Sequence, residues 1–204
     1  MCSSDLDLPA FQHHTGLELL FDVVFETGAA VFCDQGGHGG NQGGPVGPLK
    51  SDHCMKHVKK SVLLWYTPAE MYRLVTDVPA YPQFLPWCER GEILETREDG
   101  ATAKVHLHYA GVRHAFTTRN THQPDRQVLM RLVDGPFSML EGSWDFLPLG
   151  SGQEAPKACK VEFDLRYAFS SRPLELVLSP VFDRVANTFV ESFVKRAEQV
   201  YGPR

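Results

Sequence analysis

Phe182, Ala186, Phe189, Phe193, Ala197 and Val200 recur at three- and four-residue steps. On an α-helix that spacing gathers them into one apolar stripe, roughly 27 Å long at 1.5 Å per residue. Burying a phenylalanine contributes about 1.5–3 kcal/mol, so the stripe cannot be left in water. It needs a concave partner of similar length, and the rest of the chain must supply it. Ser171 before Pro173 and Ser179 before Pro180 each read as a cap with proline in the first turn. The spacing therefore predicts a long C-terminal helix, broken or kinked near Pro180.

The partner is legible upstream. His57 to Tyr66 reads as a strand, and Thr67, Pro68 and Glu70 form a capping box with proline at the first helical position, starting a helix that runs to about Thr76. Six further strands follow: Arg90–Arg97, Thr102–Tyr109, Val112–His122, Gln127–Val133, Met139–Leu149 and Ala158–Phe169. Asp99-Gly100, Gly111 and Pro124-Asp125 mark tight reversals between them, and the polar GSGQEAPK loop separates the last two. Short connections make this an antiparallel meander, hence an α+β fold with seven strands curving around the long helix.

Between the first helix and the second strand lies DVPAYPQFLPWC (Asp77 to Cys88). Its prolines, Pro79, Pro82 and Pro86, forbid a regular helix or a central strand. Tyr81, Phe84, Leu85 and Trp87 are interleaved with them, so the segment either plugs the core or forms a lip over an apolar cavity.

Residues 1–54 differ from everything after them. They carry one basic residue, Lys50, against seven acids, whereas residues 55–204 carry nineteen basic and eighteen acidic groups. Leu17 to Phe32 reads as a short amphipathic surface element, and Gly36 to Pro48 holds seven glycines in thirteen residues, a flexible linker by composition. The expected organisation is a Gly-rich N-terminal extension, 1–54, and one domain, 55–204. Met55 reads as a natural start, with the preceding residues an upstream extension; an endogenous N-terminus near Met1 would contradict this. His13, His14, Cys33, His38, His53 and Cys54 match no zinc-ligand spacing, so no metal is expected. A near-neutral body argues against DNA binding by bulk electrostatics but leaves room for a local basic patch. Five cysteines without a CxxC pair suit reduced thiols, and no secretory or mitochondrial leader is recognisable, so the cytoplasm is expected.

DVPAYPQFLPWC, GPFSMLEGSWDF (Gly135 to Phe146) and FVKRAEQVYG (Phe193 to Gly202) resemble segments of the coenzyme Q-binding START-like family, within the polyketide cyclase/START-like superfamily. Its bacterial members are called ribosome association toxin proteins. The resemblance runs from about Lys56 to Gly202 and implies a helix-grip fold with an apolar cavity between sheet and C-terminal helix. It implies two activities. One is non-catalytic binding of ubiquinone, or a similar isoprenoid lipid, in support of respiration, with transient contact at the inner-membrane surface. The other is binding of the large ribosomal subunit to block subunit association. No cofactor is required for either.

Carried onto this chain, the resemblance implies a ligand site with Tyr81, Phe84, Leu85 and Trp87 at its mouth. Phe137, Met139, Leu140 and Trp144 would form the wall, and Val185, Phe189 and Phe193 the helix floor. Each is equally a core-packing residue by type. Tyr109, Arg113 or His114 would donate to a ligand carbonyl. Lys56, Lys59, Lys60, Lys195 and Arg196 are the candidates for a basic patch facing ribosomal RNA.

START-like relatives include polyketide cyclases, so an enzyme is the third reading. His106 and His108 share a strand face, but no acid is adjacent in sequence and no nucleophile motif occurs. Glu141 and Asp145 also share a face and read as solvated acids. No catalytic residue is expected.

Overall fold

Thr67 starts the first helix as its sequence predicts: its hydroxyl accepts from the Glu70 amide at 3.2 Å, and the Glu70 carboxylate accepts from the Thr67 amide at 2.8 Å. This computed structural model describes residues 30–32, 55–109, 111–150 and 156–204. The glycine-rich linker, the histidine and cysteine set at 13–54, the proposed upstream start and most of the 150–157 loop lie outside the described residues, as does the expected 17–32 element apart from 30–32.

The elements are β1 (Ala30–Phe32), β2 (Met55–Leu64), α1 (Pro68–Thr76), a 3₁₀ helix (Val78–Gln83), β3 (Cys88–Arg97), β4 (Gly100–Tyr109), β5 (Val112–Gln123), β6 (Gln127–Asp134), β7 (Phe137–Leu149), β8 (Ala158–Phe169) and α2 (Arg172–Tyr201). One sheet runs in the order β1-β2-β8-β7-β6-β5-β4-β3, antiparallel throughout. The seven expected strands are β2 to β8. The three-residue β1 adds an eighth, pairing Ala30 with His57 outside β2.

Strand alternation decides which side of the sheet meets α2. Val161, Phe163, Leu165 and Tyr167 of β8 are buried beneath the helix, with Leu140, Trp144 and Phe146 of β7 beside them. From α2 itself Phe182, Val185, Ala186, Val190, Phe193 and Ala197 are buried. The stripe thus faces the sheet as predicted as far as Ala197, whereas Val200 is exposed, and the predicted break does not occur: α2 continues through Pro180. Proline removes one helical hydrogen bond, to the carbonyl of Leu176, and that turn lies in solvent, with Leu176 72% exposed. Water can take the carbonyl, which offsets part of the roughly 3 kcal/mol that an interior proline costs.

Polar ties fix the helix on the sheet. Lys56 Nζ lies 2.7 Å from Asp183 Oδ2 and also donates to Ser179 Oγ, while the Tyr167 hydroxyl donates to Asp183 Oδ1 at 2.7 Å. At the far end Arg204 grips Glu70 through two contacts, 2.8 and 3.0 Å, and Tyr66 donates to the Gly202 carbonyl at 2.8 Å.

The proline segment winds into the short 3₁₀ helix instead of staying irregular. Proline fixes a φ that this tighter helix shares, so Pro79 and Pro82 are tolerated. The Tyr81 hydroxyl donates to the Val75 carbonyl at 2.6 Å, folding the segment back onto α1. Its other side rests on β3 at Gly91, where an added Cβ would lie 2.1 Å from the Val78 carbonyl oxygen.

Candidate functional site

Between the concave face of the sheet and α2 is a cavity of about 70 Å³. The 3₁₀ segment contributes Val78, Tyr81 and Trp87 to its lining, and α2 contributes Phe182, Val185, Ala186 and Phe189. The sheet supplies the rest, from Ala103 and Val105 on β4 to Phe163 and Leu165 on β8. The segment that opened as plug or lip is part of both: Trp87 is 5% exposed, yet its ring faces the hollow and packs on Phe189 with centroids 5.5 Å apart.

Of the eleven residues assigned to the site from sequence, Tyr81, Trp87, Leu140, Val185 and Phe189 line the cavity. The others do not. Leu85, Trp144 and Phe193 are fully buried beneath it, with Trp144 and Phe193 centroids 5.1 Å apart. Phe84 stands further out, edge-on to Phe193 at 5.0 Å with the Arg196 guanidinium 5.4 Å over its ring. Phe137 borders a second, much smaller hollow with Leu178 and Phe182. Met139 is on the opposite, outer side, because a register shift between Phe137 and Met139 changes the alternation, placing Phe137 and Leu140 inside.

Sequence reasoning missed Phe116, Thr118 and Asn120 on β5, Met130 on β6, and the β4 and β8 lining residues. Their signal was available as alternation: Ala103 and Val105, Phe116, Thr118 and Asn120, Phe163 and Leu165 each step by two.

Four residues of the cavity wall carry polar side-chain atoms, Tyr81, Trp87, Thr118 and Asn120. Trp87 Nε1 and Asn120 Oδ1 are buried side-chain atoms without a hydrogen-bond partner, and both belong to lining residues. A buried unpaired donor or acceptor costs about 1–3 kcal/mol. Tyr81 is the one titratable lining residue. Burial, helped by Cys88 and Asp77, drives its hydroxyl far above the ordinary phenol range. Burial likewise pushes the thiols of Cys88 and Cys159 up to about 11, which keeps both protonated and unreactive.

The three expected carbonyl donors are elsewhere. Arg113 pairs with Glu89 at 3.2 Å, His114 borders the smaller hollow, and Tyr109 packs at the core margin. His106 does meet an acid, Glu92 across the β3–β4 pair at 2.8 Å, but on the outer face. Glu141 and Asp145 are outside too, and Asp145 accepts from Gln127 and Ser143. The basic patch expected from Lys56, Lys59, Lys60, Lys195 and Arg196 does not assemble. Alternation turns Lys56 and Lys60 inward and Lys59 outward, Lys56 is held by Asp183, and Arg196 donates to Gln83 at 2.6 Å beside Phe84.

Among the described residues no helix is long and apolar enough to cross a membrane.

Residues 64–194 match the polyketide cyclase/dehydrase and lipid transport family. The ribosome association toxin RatA of Escherichia coli K12 is 40% identical over 159 residues, covering 78% of this chain and 98% of that protein. The mitochondrial coenzyme Q-binding protein COQ10 homolog B of Xenopus laevis is 31% identical over 144 residues, covering 70% of this chain and 58% of that protein. A START superfamily protein from Mycobacterium smegmatis has the same fold, with a TM-score of 0.59 at 21% identity, covering 71% of this chain and 98% of that one.

Proposed function

This chain belongs to the polyketide cyclase/dehydrase and lipid transport family, and we propose that it works there as a ribosome-binding factor. In this reading it is a non-catalytic cytoplasmic protein that docks on the large ribosomal subunit and blocks subunit association. The observation that carries it is the 40% identity extending over 98% of a protein named for ribosome association. The cavity points the same way. An apolar hollow of roughly 150 Å³ takes a benzene ring, and this one is about 70 Å³. A quinone ring with even one isoprenoid unit exceeds it. Tyr81 is the one titratable group of the lining, and its hydroxyl is committed to the Val75 carbonyl.

Sucrose-gradient sedimentation of purified ribosomes with and without the protein tests this. The protein should travel with the large subunit and shift whole ribosomes toward free subunits. Ribosomes that sediment unchanged, with all the protein left at the top, would remove the reading.

A second reading rests on Trp87 and Asn120. Their unpaired atoms call for a ligand that accepts from the indole N–H and donates to the amide oxygen, within apolar walls. A quinol or another hydroxylated isoprenoid fits that chemistry once the helix and sheet part slightly, and the Xenopus relative is named for coenzyme Q binding. Organic extraction of the purified protein checks it: a stoichiometric isoprenoid supports a carrier, and an extract free of lipid removes it.

A further inference from the structure

The outer face of the sheet carries a transverse row of side chains in direct register. Thr102 on β4 is opposite Arg119 on β5, Arg119 opposite Arg131 on β6, Arg131 opposite Glu141 on β7, and Glu141 opposite Arg166 on β8. His57 on β2 ends it beyond Arg166. Glu95 on β3 lies opposite Thr102 at the other end, so the row holds three arginines and two acids. Arg166 has a partial counter-charge in Asp164 at 3.8 Å, which also meets His57 at 3.0 Å. Arg119 and Arg131 are exposed and make no close ion pair among the described residues, although Arg97 and, with it, Arg119 hold the Glu95 carboxyl below its ordinary range and Arg131 is opposite Glu141.

Like charges directly opposite on neighbouring strands repel and destabilise the pair. The fold nevertheless places two guanidiniums side by side, at strand spacing of about 4.8 Å. Their neighbours on this face are the short Thr102 and Thr121, with Leu129 and Glu141 beside Arg131. Two planar donor forks side by side suit an anion that offers several oxygens in succession, which is the geometry of a phosphodiester backbone. Because residues 55–204 are close to neutral overall, binding to nucleic acid must come from such a local concentration of charge.

We infer that the outer face of β5 and β6, centred on Arg119 and Arg131, is the surface that meets the phosphate backbone of ribosomal RNA. This rests on the ribosome-binding reading above. The RNA adds counter-charge to what Glu95 and Glu141 supply, while the cavity and α2 remain on the opposite side of the sheet, uninvolved in docking.

The test is salt-dependent co-sedimentation of the full chain with large ribosomal subunits, comparing the unaltered protein, the double variant Arg119→Gln/Arg131→Gln, and Lys195→Gln on α2 as a control. Each arginine–phosphate contact contributes about tenfold in affinity, so the double variant should bind about a hundredfold more weakly. The slope of log affinity against log salt should fall by roughly 1.4–1.8, and Lys195→Gln should behave as the unaltered protein. Removing the repulsion should leave the melting temperature of the double variant equal or higher, which separates lost binding from lost folding. If the unaltered protein binds and the double variant binds equally well, the arginine face is wrong and the ribosome reading stands. Equal losses in the double variant and in Lys195→Gln would also overturn it, by showing unlocalised attraction. No binding by the unaltered protein overturns both.

Discussion

Trp87 packs its indole against Phe189 of α2, ring centroids 5.5 Å apart, and so joins the 3₁₀ segment to the helix across the cavity. The same indole leaves its N–H without a partner. Packing and hydrogen bonding are therefore separable at this residue. Trp87→Ala should destabilise the protein by about 3–5 kcal/mol, the usual range for a buried large aromatic. Trp87→Phe keeps most of the packing and deletes an unsatisfied donor, so chemical denaturation should show a loss under about 1.5 kcal/mol. A loss as large as that of the alanine variant would mean that Nε1 has a partner after all.

Asp183 is the hub of the tie between α2 and the sheet, receiving Lys56 at 2.7 Å and Tyr167 at 2.7 Å. Its own side chain is 45% exposed, so water screens the pair. Asp183→Ala should cost about 1–2 kcal/mol, most of it from stranding Lys56 and the buried Tyr167 hydroxyl. Adding Lys56→Met and Tyr167→Phe should recover much of the loss, read from denaturation midpoints; an additive triple variant would show that the three groups do not act together.

His122 faces the Tyr72 hydroxyl at 3.3 Å in a half-buried position. Desolvation lowers its pKa below the ordinary 6.5, against a smaller opposing pull from Asp99. A base whose folded pKa is depressed binds its proton more readily when unfolded. Stability is therefore full above about pH 6.5 and falls as the pH drops toward the lower folded value. Melting temperatures measured through this window should decline less steeply in His122→Asn than in the unaltered protein. Identical slopes would assign the decline to other groups.

Gly91 permits the 3₁₀ segment to rest directly on β3, with the Val78 carbonyl where a Cβ would be. Gly91→Ala should therefore destabilise by about 1–3 kcal/mol, as an overpacked contact with rigid backbone does. Hydrogen exchange should show the loss centred on amides between 78 and 91; uniform acceleration across the sheet would place the strain elsewhere.

Local chemistry made much of this architecture readable from sequence. The Thr67, Pro68 and Glu70 cap, the turn at Asp99-Gly100 and the phenylalanine stripe of α2 depend on neighbours within one or two turns, and each forms as expected. What was illegible depends on register. The shift between Phe137 and Met139 turns Met139 outward, and no nearby residue announces it. Lys56, Lys59 and Lys60 cluster in the sequence and separate in the fold because a strand alternates. The Arg119–Arg131 pairing joins residues whose proximity depends on the β5–β6 register, which is why the charge concentration was sought on β2 and α2. Pro180 illustrates the opposite case: the residue suggested a break, and solvent exposure of the preceding turn removed the reason for one.

The pairing of β2 with β8 brings Lys56 opposite Tyr167, and α2 follows every strand in the sequence. During synthesis β2 must therefore wait for β8, more than a hundred residues downstream. The concave apolar face waits longer still, until the thirty residues of α2 are available to cover it. Such a chain folds late and slowly, by non-local closure. Meanwhile Trp144, Phe163 and Tyr167 are exposed to any other unfinished chain nearby. Yield in cells should consequently depend on how quickly α2 docks, so that weakening its ties to the sheet would raise aggregation before it measurably lowered the stability of molecules already folded.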